Sequence, residues 1–172
     1  TEGYLMAEWT KDTTPFSELY AIAEESLERK NPEGHIAALF IYHQLTFEIL
    51  RDLLIRSNFL IKLALYPVHY TPRKYSTESK FSELLKDLEH STNFIAKTKL
   101  ISQAKLLNKL RNEFGHRIIE NYSYSDIDEK LADIKKIHDE IFKSWGICLQ
   151  DLGHQIKRAK NRTEILTLIK EK

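Results

Sequence analysis

The sequence predicts an all-α protein folded as an up-and-down bundle of four to five main helices. Apolar residues recur at three- and four-residue spacing along most of the chain, as in helices with one buried face. No segment alternates apolar and polar residues long enough to predict a strand. The 172 residues, 42% hydrophobic and 30% charged, are typical of one globular domain spanning residues 1–172.

Residues that favour helix starts or turns indicate where the first two predicted helices begin. Residues 1–13 show no period and are predicted to be an irregular arm. Thr14 and Pro15 supply a capping hydroxyl and a proline at the first helical position, so a helix is predicted from there to about Arg29. Residues 31–34 (NPEG) indicate a turn, and a second helix follows at residues 35–56. The apolar residues 59–66 extend that helix or form a short one.

The middle of the chain contains its longest segment without a period, residues 67–76. Its tyrosines and basic residues are compatible with an RNA groove, but a surface crossover connection is the favoured interpretation. Ser76 or Thr77 is predicted to cap a third helix ending near His90. A fourth helix is predicted from Thr98 to about Ile119.

The C-terminal third is predicted to hold two helices. Residues 121–125 indicate a turn, after which Ser125 caps a long helix whose apolar stripe runs to Ile156, with a bend at Gly146. Thr163 is predicted to cap a short final helix at residues 164–171, so that residues 161–172 form a separate C-terminal element.

The fourth helix carries the most distinctive stretch, residues 106–117 (LLNKLRNEFGHR). Its predicted buried seam is an apolar stripe made of Leu100, Leu107, Leu110, Phe114 and Ile118. Arg111 falls about 40° from Leu107, inside this stripe, where an unpaired charge is costly. Glu48 is a candidate acceptor for it, or else a partner of Arg51. His116 lies about 140° from Arg111 around a regular helix. The two meet only if the helix breaks at Gly115, if Arg111 uses its long reach, or if a second subunit contributes its own pair.

Arg111, Asn112 and His116 resemble the signature of the HEPN superfamily, an Arg followed by a polar residue and, four to six residues on, a His. Residues 35–54 are similar to its early helix, in which a Glu precedes a basic residue, as Glu48 precedes Arg51. The resemblance implies a small helical bundle, and many members are metal-independent ribonucleases of toxin–antitoxin or phage-defence systems. RNEFGH also looks like the mannitol-repressor-like family, which is not established as catalytic.

The resemblance implies a role for each residue. His116 would transfer protons, the Arg111 guanidinium would stabilise the phosphorane-like charge, and Asn112 would orient the phosphate or His116. Lys105, Lys109 and Arg117 would bind the RNA backbone. Ile118 stands where one branch of the family has a tyrosine, which puts tyrosine modification in doubt but not the ribonuclease chemistry.

Charge offers local support for such a ligand. The whole chain has a net charge of +1, which gives no global signal for nucleic acid. Between residues 94 and 117, however, six basic residues face one acidic residue. From charge alone, an RNA-binding strip and a solvated lysine face are equally good interpretations.

Other chemistry is not indicated by the sequence. No HExxH motif, cysteine pair or glycine-rich phosphate loop is present, so no metal and no cofactor is expected. His43 lies in the apolar stripe of the second helix and is predicted to be a hydrogen-bonded core histidine rather than a ligand. Cys148 is predicted to be a structural thiol.

The expected partners follow from the ribonuclease hypothesis: RNA, a second copy of the chain, and an antitoxin or regulatory protein. A single cysteine, the lack of a signal peptide and the short apolar runs predict a cytoplasmic protein with no membrane association. Two other hypotheses remain open at this stage. One is a noncatalytic helical regulator or protein-interaction module of the mannitol-repressor-like type, and the other is a nucleotide-binding domain of a larger defence protein.

Overall fold

The computed structural model describes residues 14–121 and 123–170, without the side chains of residues 14, 116–121, 124, 165 and 168–170. These residues form six helices and no strand: α1 (Thr14–Glu28), α2 (Pro32–Ala64), α3 (Phe81–Glu89), α4 (Lys97–Asn121), α5 (Tyr124–Leu131) and α6 (Ile134–Lys170). The predicted all-α class is confirmed for this part of the chain. The arm predicted for residues 1–13 lies outside it.

Contacts between the helices define an up-and-down order in which α1, α2, α4 and α6 are the main helices. The short connection between α1 and α2 makes them antiparallel neighbours. Residue pairs along the other interfaces give the remaining directions. Antiparallel order of α4 with α2 and with α6 follows from His43–Asn108, Ser57–Thr92, Lys99–Glu140 and Ile95–Asp151. The helices α3 and α5 lie within the connections.

The core is built from the faces that these four helices turn toward each other. From α4, the predicted seam residues Leu100, Leu107 and Phe114 are buried, as is Ala104. Burying one such large side chain contributes roughly 1.5–3 kcal/mol, so the register of α4 in the bundle is strongly set. Leu110 is half-buried at the edge of this seam. Among the described residues, no helix is both long and apolar enough to cross a membrane.

The start of α2 differs from the prediction of a turn at residues 31–34. Asn31 is instead the N-cap, its Oδ1 accepting from the Gly34 N–H at 2.8 Å, and Pro32 is the first helical residue. Turns and N-caps use the same residue types, which is why the prediction was wrong. Gly34 also allows α1 and α2 to approach closely, because a Cβ there would overlap the carbonyl oxygen of Ser26.

Two further boundaries differ from those predicted, whereas α2 continues through residues 59–64, as one of the two predicted alternatives has it. The helix α3 begins at Phe81, later than a cap at residues 76–77 would place it. The predicted long helix is in fact two helices. Ser123 caps the short α5 in a capping box with Asp126, and α6 begins at Ile134. The division falls at Ala132 and Asp133, where one aspartate inside a continuous apolar stripe is too weak a turn signal to predict it.

The separate C-terminal helix at residues 161–172 was also predicted wrongly for its described part. The helix α6 continues without interruption to Lys170. Thr163 lies inside it and donates its hydroxyl to the Ala159 carbonyl, 2.9 Å away, instead of capping a new helix. Residues 171–172 lie outside the described residues.

Candidate functional site

The helix α4 presents the predicted site residues without interruption. Its backbone is helical from Lys97 to Asn121, so it does not break at Gly115, and that route to bringing Arg111 and His116 together is excluded. The side chains of His116 and Arg117 lie outside the described residues. What remains is the long reach of Arg111 or a second copy of the chain.

Arg111 is half-buried, and its guanidinium lies against a ring of α2. Its Cζ atom is 5.6 Å from the centroid of the Phe40 ring, a cation–π contact. Its Nη1 donates to Oδ1 of the exposed Asn112 at 3.2 Å. Its Nε is buried and has no hydrogen-bond partner among the described residues. Arg111 is thus fixed in place with part of its hydrogen-bonding capacity unused.

Among the described residues, Arg111 has no carboxylate partner. Glu48, proposed from the sequence as its acceptor or as a partner of Arg51, pairs with Arg51 inside α2 at 2.6 Å. The second of the two sequence-based interpretations of Glu48 therefore fits the structure. A half-buried guanidinium without a counter-ion is costly for an isolated protein and favourable for an anionic ligand.

Carboxylates of neighbouring helices neutralise part of the predicted basic strip, which the sequence alone did not show. Lys99 pairs with Glu140 of α6, and Lys105 pairs with Glu89 at the end of α3. Lys109 is exposed and has no partner among the described residues. The field along α4 is accordingly weaker than the count of basic residues suggested, and Lys109 and Arg111 remain its unpaired cations in the described part.

Lys97, the first residue of this strip, serves the fold rather than the surface. It is 8% exposed, and its ammonium donates to the carbonyl oxygens of Glu89, Ser91 and Thr92 at 3.0, 3.0 and 3.3 Å. Burial lowers its pKa, and the charge of Glu89 opposes that shift. Three carbonyl acceptors use all three donors of the ammonium, so none is left for a ligand.

His43 is the described histidine nearest to this part of α4. Its Nε2 is 3.0 Å from Oδ1 of Asn108, and its ring stacks on Phe81 with centroids 4.1 Å apart. The predicted hydrogen bond of a core histidine is present, although the side chain is only half-buried. The pKa of His43 is lowered, chiefly by burial; the Asn108 hydrogen bond opposes the shift and the charge of Arg111 adds to it.

The other sequence candidates have structural roles. In the crossover segment, Arg73 bonds Asp87 at 2.7 Å and Glu83 at 3.1 Å, which ties the segment to α3 and fits the favoured interpretation. Cys148 is buried, and burial raises the pKa of its thiol to about 12, so it is not a nucleophile at neutral pH. Within residues 14–121 and 123–170, no group of three or more His, Cys, Asp or Glu side chains could hold a metal ion.

Comparison of the chain with protein-family models, with curated proteins and with solved structures found no match in any of the three. The described residues form an all-α helical bundle. Its candidate site is built around Arg111 of α4, which lies against Phe40 of α2.

Proposed function

We propose that the chain is a metal-independent, RNA-cleaving endoribonuclease of the HEPN type, belonging to a toxin–antitoxin or phage-defence system. The observation that carries this proposal is Arg111, a held guanidinium with a buried, unused Nε and no carboxylate partner in the described part of the chain. An arginine in this state suits a phosphate, because its planar donors match phosphate oxygens and its charge is not already neutralised.

The proposed reaction needs no metal. The ribose 2′-oxygen bonds to phosphorus, the bond from phosphorus to the 5′-oxygen breaks, and the 2′-hydroxyl proton passes to a base while the 5′-oxygen gains a proton. Arg111 stabilises the charge on the phosphorus oxygens, and Asn112 holds the guanidinium through its 3.2 Å hydrogen bond. His116 transfers protons, since an imidazole titrates near neutral pH. Lys109, Lys105 and Arg117 bind the flanking phosphates.

The proposal includes a homodimer with the active site in its cleft. Since α4 is unbroken, the positions of Arg111 and His116 lie about 140° apart around the helix of one chain. A two-fold axis that pairs two α4 helices would bring the Arg111 of one copy beside the His116 of the other. Sedimentation measures this directly: a dimer supports the arrangement, and a strict monomer during active RNA cleavage excludes it.

The alternative is a noncatalytic regulator or protein-interaction module of the mannitol-repressor-like type. It is supported by the apolar ring beside the site, Phe40, which contacts Arg111 and is 39% exposed. Large exposed apolar side chains next to an arginine are common in protein interfaces. Under the first proposal the protein partner would be an antitoxin. Under this alternative the partner would be the protein that the module regulates.

Incubation of the purified protein with total RNA in EDTA distinguishes the two. The ribonuclease proposal predicts cleavage that is lost in Arg111→Ala and in His116→Ala. Arg158→Ala is the matched control, because Arg158 is exposed on α6. Intact RNA with the wild-type protein would favour the regulator instead.

A further inference from the structure

Two contacts cross between α2 and α4, one helical turn apart. Phe40 lies under the Arg111 guanidinium at 5.6 Å, and His43 bonds Asn108 at 3.0 Å. Residues three apart share a helix face, and the two helices are antiparallel, so the two contacts are adjacent. His43 is thereby placed beside Arg111 by the register of the helices, whereas His116 follows Arg111 along the same helix on a different side.

This juxtaposition is unusual for a purely structural pair. A structural arginine is commonly neutralised by a carboxylate, but Glu48, the acceptor suggested by the sequence, is bound to Arg51. The groups that α3 and α4 place against His43, Phe81 and Asn108, are uncharged. Arg111 is the charged group that acts on His43 among the described residues. The site thus has an unneutralised cation beside an imidazole able to become a second one.

We propose that Arg111 and His43 together form a phosphate-binding unit within a single chain, in which Asn112 holds the guanidinium and Asn108 holds the imidazole. The unit rests on the proposed function for its natural ligand, an RNA phosphodiester. It goes beyond that function by naming His43, on another helix, as a ligand-binding histidine. It also requires no second subunit to be complete.

The chemistry of the contact defines how the unit responds. The Asn108 atom facing His43 is an amide oxygen, which accepts, so Nε2 carries a proton and the lone pair of the neutral ring lies on Nδ1. The positive charge of Arg111 disfavours protonation of His43. A phosphate bound by Arg111 would bring negative charge next to His43 and so favour its protonation. Phosphate binding and proton uptake by His43 are therefore coupled, each favouring the other.

The first test is an NMR pH titration of the histidine side chains of the full chain, with and without inorganic phosphate at matched ionic strength. The proposal predicts that phosphate raises the titration midpoint of His43 and that Arg111→Gln abolishes the shift. The exposed His154 on α6 is the internal control, and the proposal expects no effect of phosphate on its signal. A His43 midpoint that ignores phosphate, or moves equally in Arg111→Gln, would overturn the proposal.

The second test measures binding of an RNA oligonucleotide whose 2′-oxygens are methylated, so that binding is separated from cleavage. His43→Gln and Arg111→Gln are each expected to weaken binding by about tenfold or more, the scale of one charge-assisted hydrogen bond. Asn108→Ala leaves Arg111 and His43 in place and removes the hydrogen bond that holds the imidazole. It is expected to weaken binding less than His43→Gln or Arg111→Gln. Circular dichroism checks that each variant is folded.

The outcomes separate this inference from the proposed function. Phosphate-coupled titration of His43 in a protein that cleaves no RNA would uphold the phosphate unit and reject the ribonuclease. RNA cleavage that depends on Arg111 and His116, with His43→Gln binding RNA as well as the wild type does, would uphold the ribonuclease and reject the phosphate unit.

Discussion

His138 stacks on Tyr42 with ring centroids 4.2 Å apart, and both of its ring nitrogens are buried without a hydrogen-bond partner among the described residues. This imidazole is fully buried between α1, α2 and α6, close to the Tyr42–Glu24–Lys135 hydrogen bonds. Burial lowers the pKa of His138 from 6.5 to about 4; the Glu24 charge opposes this shift and the Lys135 charge adds to it.

The fold should therefore lose stability in mild acid. Between pH 6.5 and about 4 the unfolded chain binds a proton at His138 that the folded chain does not. Stability from this group is complete above pH 6.5 and falls by about 3 kcal/mol as the pH drops to 4. Urea unfolding across this range should show a smaller loss for His138→Phe, which keeps the stacked ring. His154→Phe is the exposed control, and an unchanged pH dependence in His138→Phe would contradict the prediction.

Two glycines should respond oppositely to the same substitution. Gly34→Ala places a methyl group against the Ser26 carbonyl and should destabilise the fold by about 1–3 kcal/mol. Gly153→Ala adds a methyl group on the open side of α6 and should stabilise it by roughly 0.5–1 kcal/mol. Thermal unfolding of the two variants gives the comparison. Equal effects would mean that α1 and α2 are not packed as closely as described.

Lys97 should matter for stability although it is a lysine. Lys97→Met leaves the carbonyl groups of Glu89, Ser91 and Thr92 without their donor, so a loss of about 1–3 kcal/mol is expected. Lys99→Met is the matched control, because the exposed ammonium of Lys99 forms one ion pair, with the half-buried Glu140, among the described residues, and a surface ion pair contributes about 0–1 kcal/mol. Denaturant unfolding decides the point, and similar losses in both variants would refute it.

Arg111 and Arg51 should differ in kind. Arg111→Leu removes a charge that has no carboxylate partner in the described part of the chain, so the free energy of unfolding should stay constant or rise. Arg51→Leu leaves the half-buried Glu48 unpaired and should cost about 1–3 kcal/mol. For RNA binding we expect the opposite: Arg111→Leu should weaken binding more than Arg51→Leu does. A large stability loss in Arg111→Leu would mean that Arg111 is a structural residue.

The main helices were predictable because their buried faces repeat with the helical period. On α4, Leu100, Leu107 and Phe114 were placed in the core from spacing alone, and they are buried. Local boundaries were less predictable, since Asn31 and Thr163 belong to residue types that serve in turns, caps and helix interiors alike.

The site was predictable only within one helix. Helical spacing singled out Arg111, and the family resemblance added Asn112; their side chains are in contact. It did not show that carboxylates of α3 and α6 neutralise Lys105 and Lys99, because those pairs depend on how the helices pack. The position of His43 beside Arg111 was missed for the same reason. The register of α2 against α4 reveals it, whereas the periodicity of a single helix does not say which residues of two packed helices face each other.

In the proposed reaction Arg111 binds a phosphate that the neighbouring 2′-oxygen attacks, without a metal. The ends formed when an RNA oligonucleotide is incubated with the protein in EDTA identify this reaction. We expect a 2′,3′-cyclic phosphate, no cleavage of the matching DNA, and a rate that follows an ionisation in the histidine range. Cleavage of DNA, or cleavage that EDTA abolishes, would show that the 2′-oxygen mechanism is wrong.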